Sequence, residues 1–219
     1  MADIFQEVDE EVRRERLKQL WDRYGIYLII LVVLIVGAVA GWRTYQWYEA
    51  KKAAEAGAAF EQAVALSEAD KSKEAEAAFA KIAAEAPAGY RLLARLRVAA
   101  ELANDDTKAA VAQYDGIAAD TSLGQTMRDL AAVRAAILLV DTAPLDDMRG
   151  RLEPLAAADR AFRHTAREML AMSAYRANDI AAARKYIDMV AGDAETPPGT
   201  RQRIEVLSAL LASEGKGKG

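Results

Sequence analysis

The chain offers little to a chemist looking for a reactive centre. It has one histidine, His164, and no cysteine. A hydrolytic triad or a histidine metal pair needs more company than that. The lack of cysteine removes disulfides, thiolate metal sites and a thiol nucleophile. Two pairs of adjacent carboxylates, Asp105-Asp106 and Asp146-Asp147, fall where helical stretches begin. Acids there cap backbone N–H groups and meet the positive end of the helix dipole, so they read as caps and not as an acid–base pair. No glycine-rich phosphate loop, serine elbow or paired-histidine zinc motif is present. The expectation is a protein that is not an enzyme and carries no metal or cofactor. What remains is a set of arginines: Arg91, Arg95, Arg97, Arg128 and Arg134. They form either a basic groove for acidic or carboxylate groups of a partner, with Arg91, Arg95 and Arg128 as its lining, or a solvated helix surface. The net charge of -4 gives nucleic-acid binding no electrostatic support.

These side chains need elements to hold them, and the most conspicuous element is apolar. Residues 25–42 read GIYLIILVVLIVGAVAGW without a charge. At 1.5 Å per residue such a helix measures roughly 27 Å, near the thickness of a bilayer's hydrocarbon core. Trp21, Tyr24 and Tyr27 bracket the run at its start, and Trp42, Tyr45, Trp47 and Tyr48 at its end. Rings that are part apolar and part polar settle at headgroup depth, which sets this stretch apart from a buried core helix. Ala38-Val39-Ala40 has the form of a signal-peptide cleavage site, but the run is long for a signal core and the leader is long and acidic. The segment therefore reads as an uncleaved anchor over residues 24–46. Arg13, Arg14, Arg16, Lys18 and Arg23 lie before it, against Arg43, Lys51 and Lys52 after it. That bias places the N-terminus in the cytoplasm and the long C-terminal part outside. Residues 1–23, with Ile4, Phe5, Val8, Val12, Leu17 and Leu20 at three- and four-residue steps, read as an amphipathic leader helix extending the span. Gly37 and Gly41 form a small-xxx-small pair on which another membrane helix could pack.

Residues 47–213 are alanine-rich, with few β-branched residues, which favours helices over sheets. Helices are expected over about 48–68, 74–86, 90–103, 108–119, 122–140, 144–157 and 160–177. Another follows around Ala182, Tyr186 and Met189, and a last one covers 199–212. Ala75, Phe79 and Ile82 recur as Ala110, Tyr114 and Ile117 after 35 residues. Met148, Leu152 and Leu155 take the equivalent place in the next unit, and Ala182, Tyr186 and Met189 in the one after. Ala103-Asn104-Asp105 and Ala177-Asn178-Asp179 repeat as turns between paired helices. A period near 34 residues with small–aromatic–small spacing on the second helix is the tetratricopeptide pattern. The expected fold is all-α: an N-terminal transmembrane helix, then a tetratricopeptide-like α-solenoid of three to four helix pairs. The final helix reads as a cap, with Ile204, Leu207, Leu210 and Leu211 facing inward. Residues 214–219, rich in glycine and lysine, read as a disordered tail.

The anchor and its flanks (Trp21, Tyr24-Gly25, the apolar run, Gly41-Trp42 and Tyr45) lead into a helix with Phe60 and Ala63. In this arrangement the chain resembles the YfgM-like family of bacterial inner-membrane proteins. The resemblance implies a single-pass protein whose tetratricopeptide-like domain is periplasmic. It further implies association with the SecYEG translocon, with a membrane-anchored periplasmic chaperone of the prolyl-isomerase type, and with client polypeptides. It carries over no catalytic residues. An alternative use of the same parts is a scaffold for envelope assembly or cell division.

Overall fold

The computed structural model describes the backbone of residues 3–216 and the side chains of residues 14–15 and 18–213. The chain divides into two units, Met1–Glu55 and Ala56–Gly219.

The first unit belongs to α1, a helix over Asp3–Glu68. Most of the apolar leader residues lie outside the described side chains. From Leu20 onward nearly every large side chain of this unit is exposed, Ile35 at 54% and Val36 at 61%. Gly25 is the exception, covered by the Trp21 indole, which lies 3.3 Å from where a Cβ would sit. This is the one helix among the described residues that is long and apolar enough to cross a membrane.

The second unit is a stack of helix pairs. Residues 56–68 pair with α2 (Ser72–Glu85), α3 (Ala88–Asp105) with α4 (Thr107–Ala118), α5 (Gln125–Leu139) with α6 (Leu145–Leu152), and α7 (Arg163–Arg176) with α8 (Ile180–Ala191). The last helix, α9 (Pro198–Lys216), packs on α7 and α8. The expected tail begins in its final turn, and residues 217–219 lie outside the described residues.

One register governs all four second helices. Their N-caps are Lys71, Asp106, Pro144 and Asp179. The fourth, eighth and eleventh residues after each cap are buried: Ala75, Phe79, Ile82; Ala110, Tyr114, Ile117; Met148, Leu152, Leu155; Ala183, Ile187, Val190. Steps of four and three keep one stripe of a 3.6-residue helix against the neighbouring layer. The fourth set corrects the sequence reading, which placed Ala182, Tyr186 and Met189 there. The two Ala-Asn-Asp turns are not equivalent. In the second pair α3 continues through Asp105 and Asp106 is the cap, its carboxylate accepting from Ala109 N–H at 2.9 Å. In the fourth pair the cap is Asp179 itself, accepting from Ala182 N–H at 3.0 Å. The register thus moves by one residue.

The first helices carry a matching column. Ala94 and Ala99, Ala131 and Ala136, and Ala166 and Ala171 are all fully buried. A methyl side chain lets neighbouring helices approach closely while retaining helix propensity. The tightest approach is at Gly57, where an added Cβ would sit 2.8 Å from the Tyr90 hydroxyl.

Two helix boundaries and one buried face differ from expectation. The fifth helix starts at Gln125 and not at residue 122, because Asp120 gathers the Ser122 N–H (3.1 Å) and hydroxyl (2.6 Å) into a turn. The sixth stops at Leu152, since Pro154 has no N–H to extend it. A 3-10 turn, Glu153–Leu155, then delivers Leu155 to the buried column. In α9, Ile204, Leu207 and Leu211 are buried, but Leu210 is exposed at 46%. The helix caps the stack along one stripe and leaves its other faces open.

Asn178 stands at φ 59° just before the Asp179 cap. Glycine enters this left-handed region freely, and among residues with a Cβ asparagine and aspartate tolerate it best. Asn178→Ala is expected to destabilise the unit by about 1 kcal/mol and Asn178→Gly to be nearly neutral, as read from urea unfolding.

Candidate functional site

Alternate helices share a layer: α7 lies beside both α5 and α9. On this layer the second unit exposes its apolar surface. Leu93 on α3, Met127 and Ile137 on α5, Met172 on α7, and Val206 and Leu210 on α9 are all exposed. Among the described residues, α2, α4, α6 and α8 expose no large hydrophobic side chain.

Two cations interrupt this surface. Arg97 and Arg134 are exposed on α3 and α5 at equivalent places, each three residues after a column alanine, Ala94 or Ala131. Both face Tyr114, whose buried ring lies between their helices. Burial pushes the Tyr114 hydroxyl up, while Arg134, by charge and hydrogen bond, and Arg97, by charge, act the other way. Among the described residues neither guanidinium forms a salt bridge.

The arginines expected to line a groove are differently employed. Arg95 bonds Asp120 at 2.8 Å and reaches the Gly116 carbonyl at 3.5 Å. Arg128 donates to the Gln125 side chain, which in turn donates to the buried Asp129 carboxylate at 2.7 Å. Arg91 alone of the three is exposed. Arg95 thus belongs to the clamps that tie one helix to the next, whereas Arg128 bonds within α5. Others of this kind are Arg151–Asp115 (2.6 Å), Arg149–Asp179 (2.9 Å), Arg160–Asp129 (3.1 Å) and Arg203 on Glu168. Each partner lies about one repeat away in sequence, so the pairing is visible only once the helices are stacked.

Asp120 carries a pH signature. Hydrogen bonds from Ser122 and then Arg95 lower its carboxyl to about 2. A carboxylate depressed in the folded state adds stability above its unfolded value, near 4, and loses it as pH falls through the folded value. Asp120→Asn is therefore expected to flatten acid unfolding between about pH 4 and pH 2. A carboxyl-carbon NMR titration of Asp120 reads the midpoint directly.

The densest polar cluster, around Asp193, escaped the sequence reading. Asp193 accepts from Arg163 at 3.0 Å and from Arg167 at 2.8 Å, with His164 Nδ1 at 3.7 Å. His164 Nδ1 lies 3.2 Å from Thr196 Oγ1, and that hydroxyl donates to the Val190 carbonyl at 2.7 Å. With its proton so used, Thr196 leaves Nδ1–H as the donor between them. Burial, and then Arg163, push the imidazole below its ordinary range. These groups bond one another and the backbone of α8, so the cluster fastens α7, α8 and the approach to α9. Among the described residues no group of three or more histidines and carboxylates could hold a metal ion. In the first unit, Gly37 and Gly41 have nothing within 4 Å of an added Cβ.

A family model described as a tetratricopeptide repeat-like domain matches residues 18–169. The chain belongs to that family. No curated protein and no solved structure matches it. The tetratricopeptide-like match takes in the apolar run of α1 as well as the first three helix pairs, and ends within α7. Domains of this class are typically non-catalytic protein-interaction modules, and stacked repeats present extended surfaces for such contacts.

Proposed function

We propose that the protein is a membrane-tethered interaction module of the bacterial inner membrane, with its N-terminus cytoplasmic and its tetratricopeptide-like unit periplasmic. It works beside the SecYEG translocon and a membrane-anchored periplasmic chaperone, helping to handle exported polypeptides. The observation that carries the reading is a single chain with two surfaces of different kinds. The apolar run of α1 leaves residues such as Leu31, Ile35 and Val36 exposed along a length that fits a bilayer. The repeat unit exposes large apolar side chains on one layer only, around two exposed guanidiniums that form no salt bridge among the described residues. Tethering raises the local concentration of a weak binder, so modest affinity suffices for clients emerging at the same membrane. Translocon and chaperone as partners follow from the resemblance of the anchor and its flanks. The open face at Gly37 and Gly41 gives a membrane helix room to pack.

Photo-crosslinkers placed at Leu93, Ile137 and Met172 in intact cells test the reading. Adducts with SecYEG subunits or the periplasmic chaperone are expected, and their loss by about tenfold in an Arg97→Glu/Arg134→Glu variant, since a desolvated charge contact contributes about 1–3 kcal/mol. Protease added outside the inner membrane should remove the second unit. Protection from that protease, or a signal focused at the division septum with no translocon adduct, would overturn the proposal. Gly37→Ile/Gly41→Ile should lower co-purification of membrane partners if the glycine face is used.

A further inference from the structure

Just beyond the apolar run, α1 carries rings and cations in a fixed order. Arg43, Trp47 and Lys51 follow one another at four-residue steps along one face, and Tyr48 and Lys52 occupy the adjacent one. The Lys52 ammonium lies 4.4 Å from the Tyr48 ring centroid, and that of Lys51 lies 5.7 Å from the Trp47 centroid. Both contacts join residue i to residue i−4. Helical side chains tilt toward the N-terminus, which at this end of the run means back toward the apolar segment. Each lysine stem therefore carries its charge back to the level of a ring one turn nearer that segment.

The depth fits a phospholipid headgroup. Trp47 and Tyr48 stand about 8–9 Å along the helix from Trp42, and the lysine backbones about 14–15 Å. The headgroup layer adds roughly 5–8 Å to each side of the hydrocarbon core. Without the fold-back the ammonium groups would stand clear of that layer; with it they meet its outer edge, with Arg43 on its inner side. Among the described residues neither lysine forms an ion pair within the chain. Hydrogen bonding to Tyr48, followed by charge interaction with it, holds Lys52 above the ordinary lysine range, so it stays charged. Among the described residues the other flank lacks this arrangement: Arg23 lies 5.8 Å from the ring of its neighbour Tyr24, and side chains there tilt away from the run.

We infer that Arg43, Trp47, Tyr48, Lys51 and Lys52 form a binding collar for the phosphate of an anionic phospholipid, in the leaflet on the downstream side of the span. The inference rests on the reading of residues 24–46 as a membrane anchor. The rings set the depth, and the three cations select negative charge over a zwitterionic headgroup. Near a membrane surface each lysine is worth about fivefold in such selection.

The test uses the full chain with Trp21→Phe and Trp42→Phe, leaving Trp47 as the only indole. It is reconstituted in vesicles of phosphatidylcholine mixed with phosphatidylglycerol, with bromine carried near the headgroup by one lipid or the other. Brominated phosphatidylglycerol is expected to quench Trp47 several-fold more than brominated phosphatidylcholine at equal content. The excess should vanish in Lys51→Gln/Lys52→Gln, survive in Lys51→Arg/Lys52→Arg, and shrink with added salt. Equal quenching by the two lipids overturns the collar and leaves the anchor standing. Quenching by neither lipid overturns the anchor reading together with it.

Discussion

Phe79→Ala lowers the stability of the repeat unit by about 4 kcal/mol, the sum expected for a buried phenylalanine truncated in a packed core and the loss of an aromatic pair. Phe79 is fully buried at the eighth position after the Lys71 cap. Its ring meets Phe60 edge to face at 5.2 Å, inside a cluster formed with Ala63, Ala75, Ile82 and Ala94. The surrounding residues are largely alanines, whose short side chains cannot swing in to refill the space. A domain with a net stability of about 5–15 kcal/mol loses a large fraction of it, and the midpoint of thermal unfolding falls by about 10 °C. A stack of repeats has contacts only between neighbours, so the damage should stay local. Amide exchange is expected to accelerate in α2 and α3 while α7 and α8 keep their protection. Phe79→Leu, which keeps most of the volume, should cost about 1 kcal/mol. A Phe79→Ala variant no less stable than one with the exposed Leu93 truncated would show that this cluster is not the core of the first pair.

Arg167→Ala is expected to cost about 3 kcal/mol through a different mechanism, the orphaning of buried polar groups. The Arg167 guanidinium is 7% exposed, and it donates to the Ala156 carbonyl at 2.9 Å, the Met189 carbonyl at 3.3 Å and Asp193 at 2.8 Å. One planar group thus satisfies acceptors from the end of the third pair, from α8 and from the turn that follows it. Truncation leaves two carbonyls and part of a carboxylate unpaired in a site where water enters poorly. Arg167→Lys recovers little, because an ammonium lacks the fork that reaches all three. The Asp193 carboxyl is held well below the usual carboxylate range, chiefly by Arg163, so it remains charged after the substitution. A double-mutant cycle with Asp193→Asn, read by urea unfolding, should therefore be strongly non-additive. Additive losses would mean that the two residues do not act as one clamp.

Much of this architecture is written locally. The apolar run over residues 25–42, its aromatic brackets and the four-then-three spacing of Ala75, Phe79 and Ile82 are each contained within a single helix, so periodicity alone reveals them. The same holds for the existence of paired helices and of a closing helix. Where reading failed, the deciding group lay in a turn. The shift from Ala182, Tyr186 and Met189 to Ala183, Ile187 and Val190 depends on whether the second or the third residue of a polar turn caps the next helix, accepting the N–H of that helix's third residue. Identical Ala-Asn-Asp triplets gave opposite answers, because the residue after the first triplet is a second aspartate and the residue after the other is Ile180. The Ala94–Ala99, Ala131–Ala136 and Ala166–Ala171 columns were also in plain view, hidden only by the abundance of alanine around them.

The sequence by itself determined a long apolar helix and an all-helical repeat unit. These depend on residue type and on spacing within one turn or two of helix. Only the tertiary structure decided which arginines are tied into ion pairs and which stay exposed. Arg95 is taken by Asp120 and Arg151 by Asp115, while Arg97 and Arg134 stand exposed around Tyr114. A guanidinium reaches a partner some 6–7 Å from its backbone, and in a stack that partner comes from the neighbouring repeat, some 30 residues distant in the chain. Stacking also decided which apolar side chains stay in the open, since Leu93, Ile137 and Met172 have the same helical spacing as residues that are buried. The difference lies in which face the next helix covers.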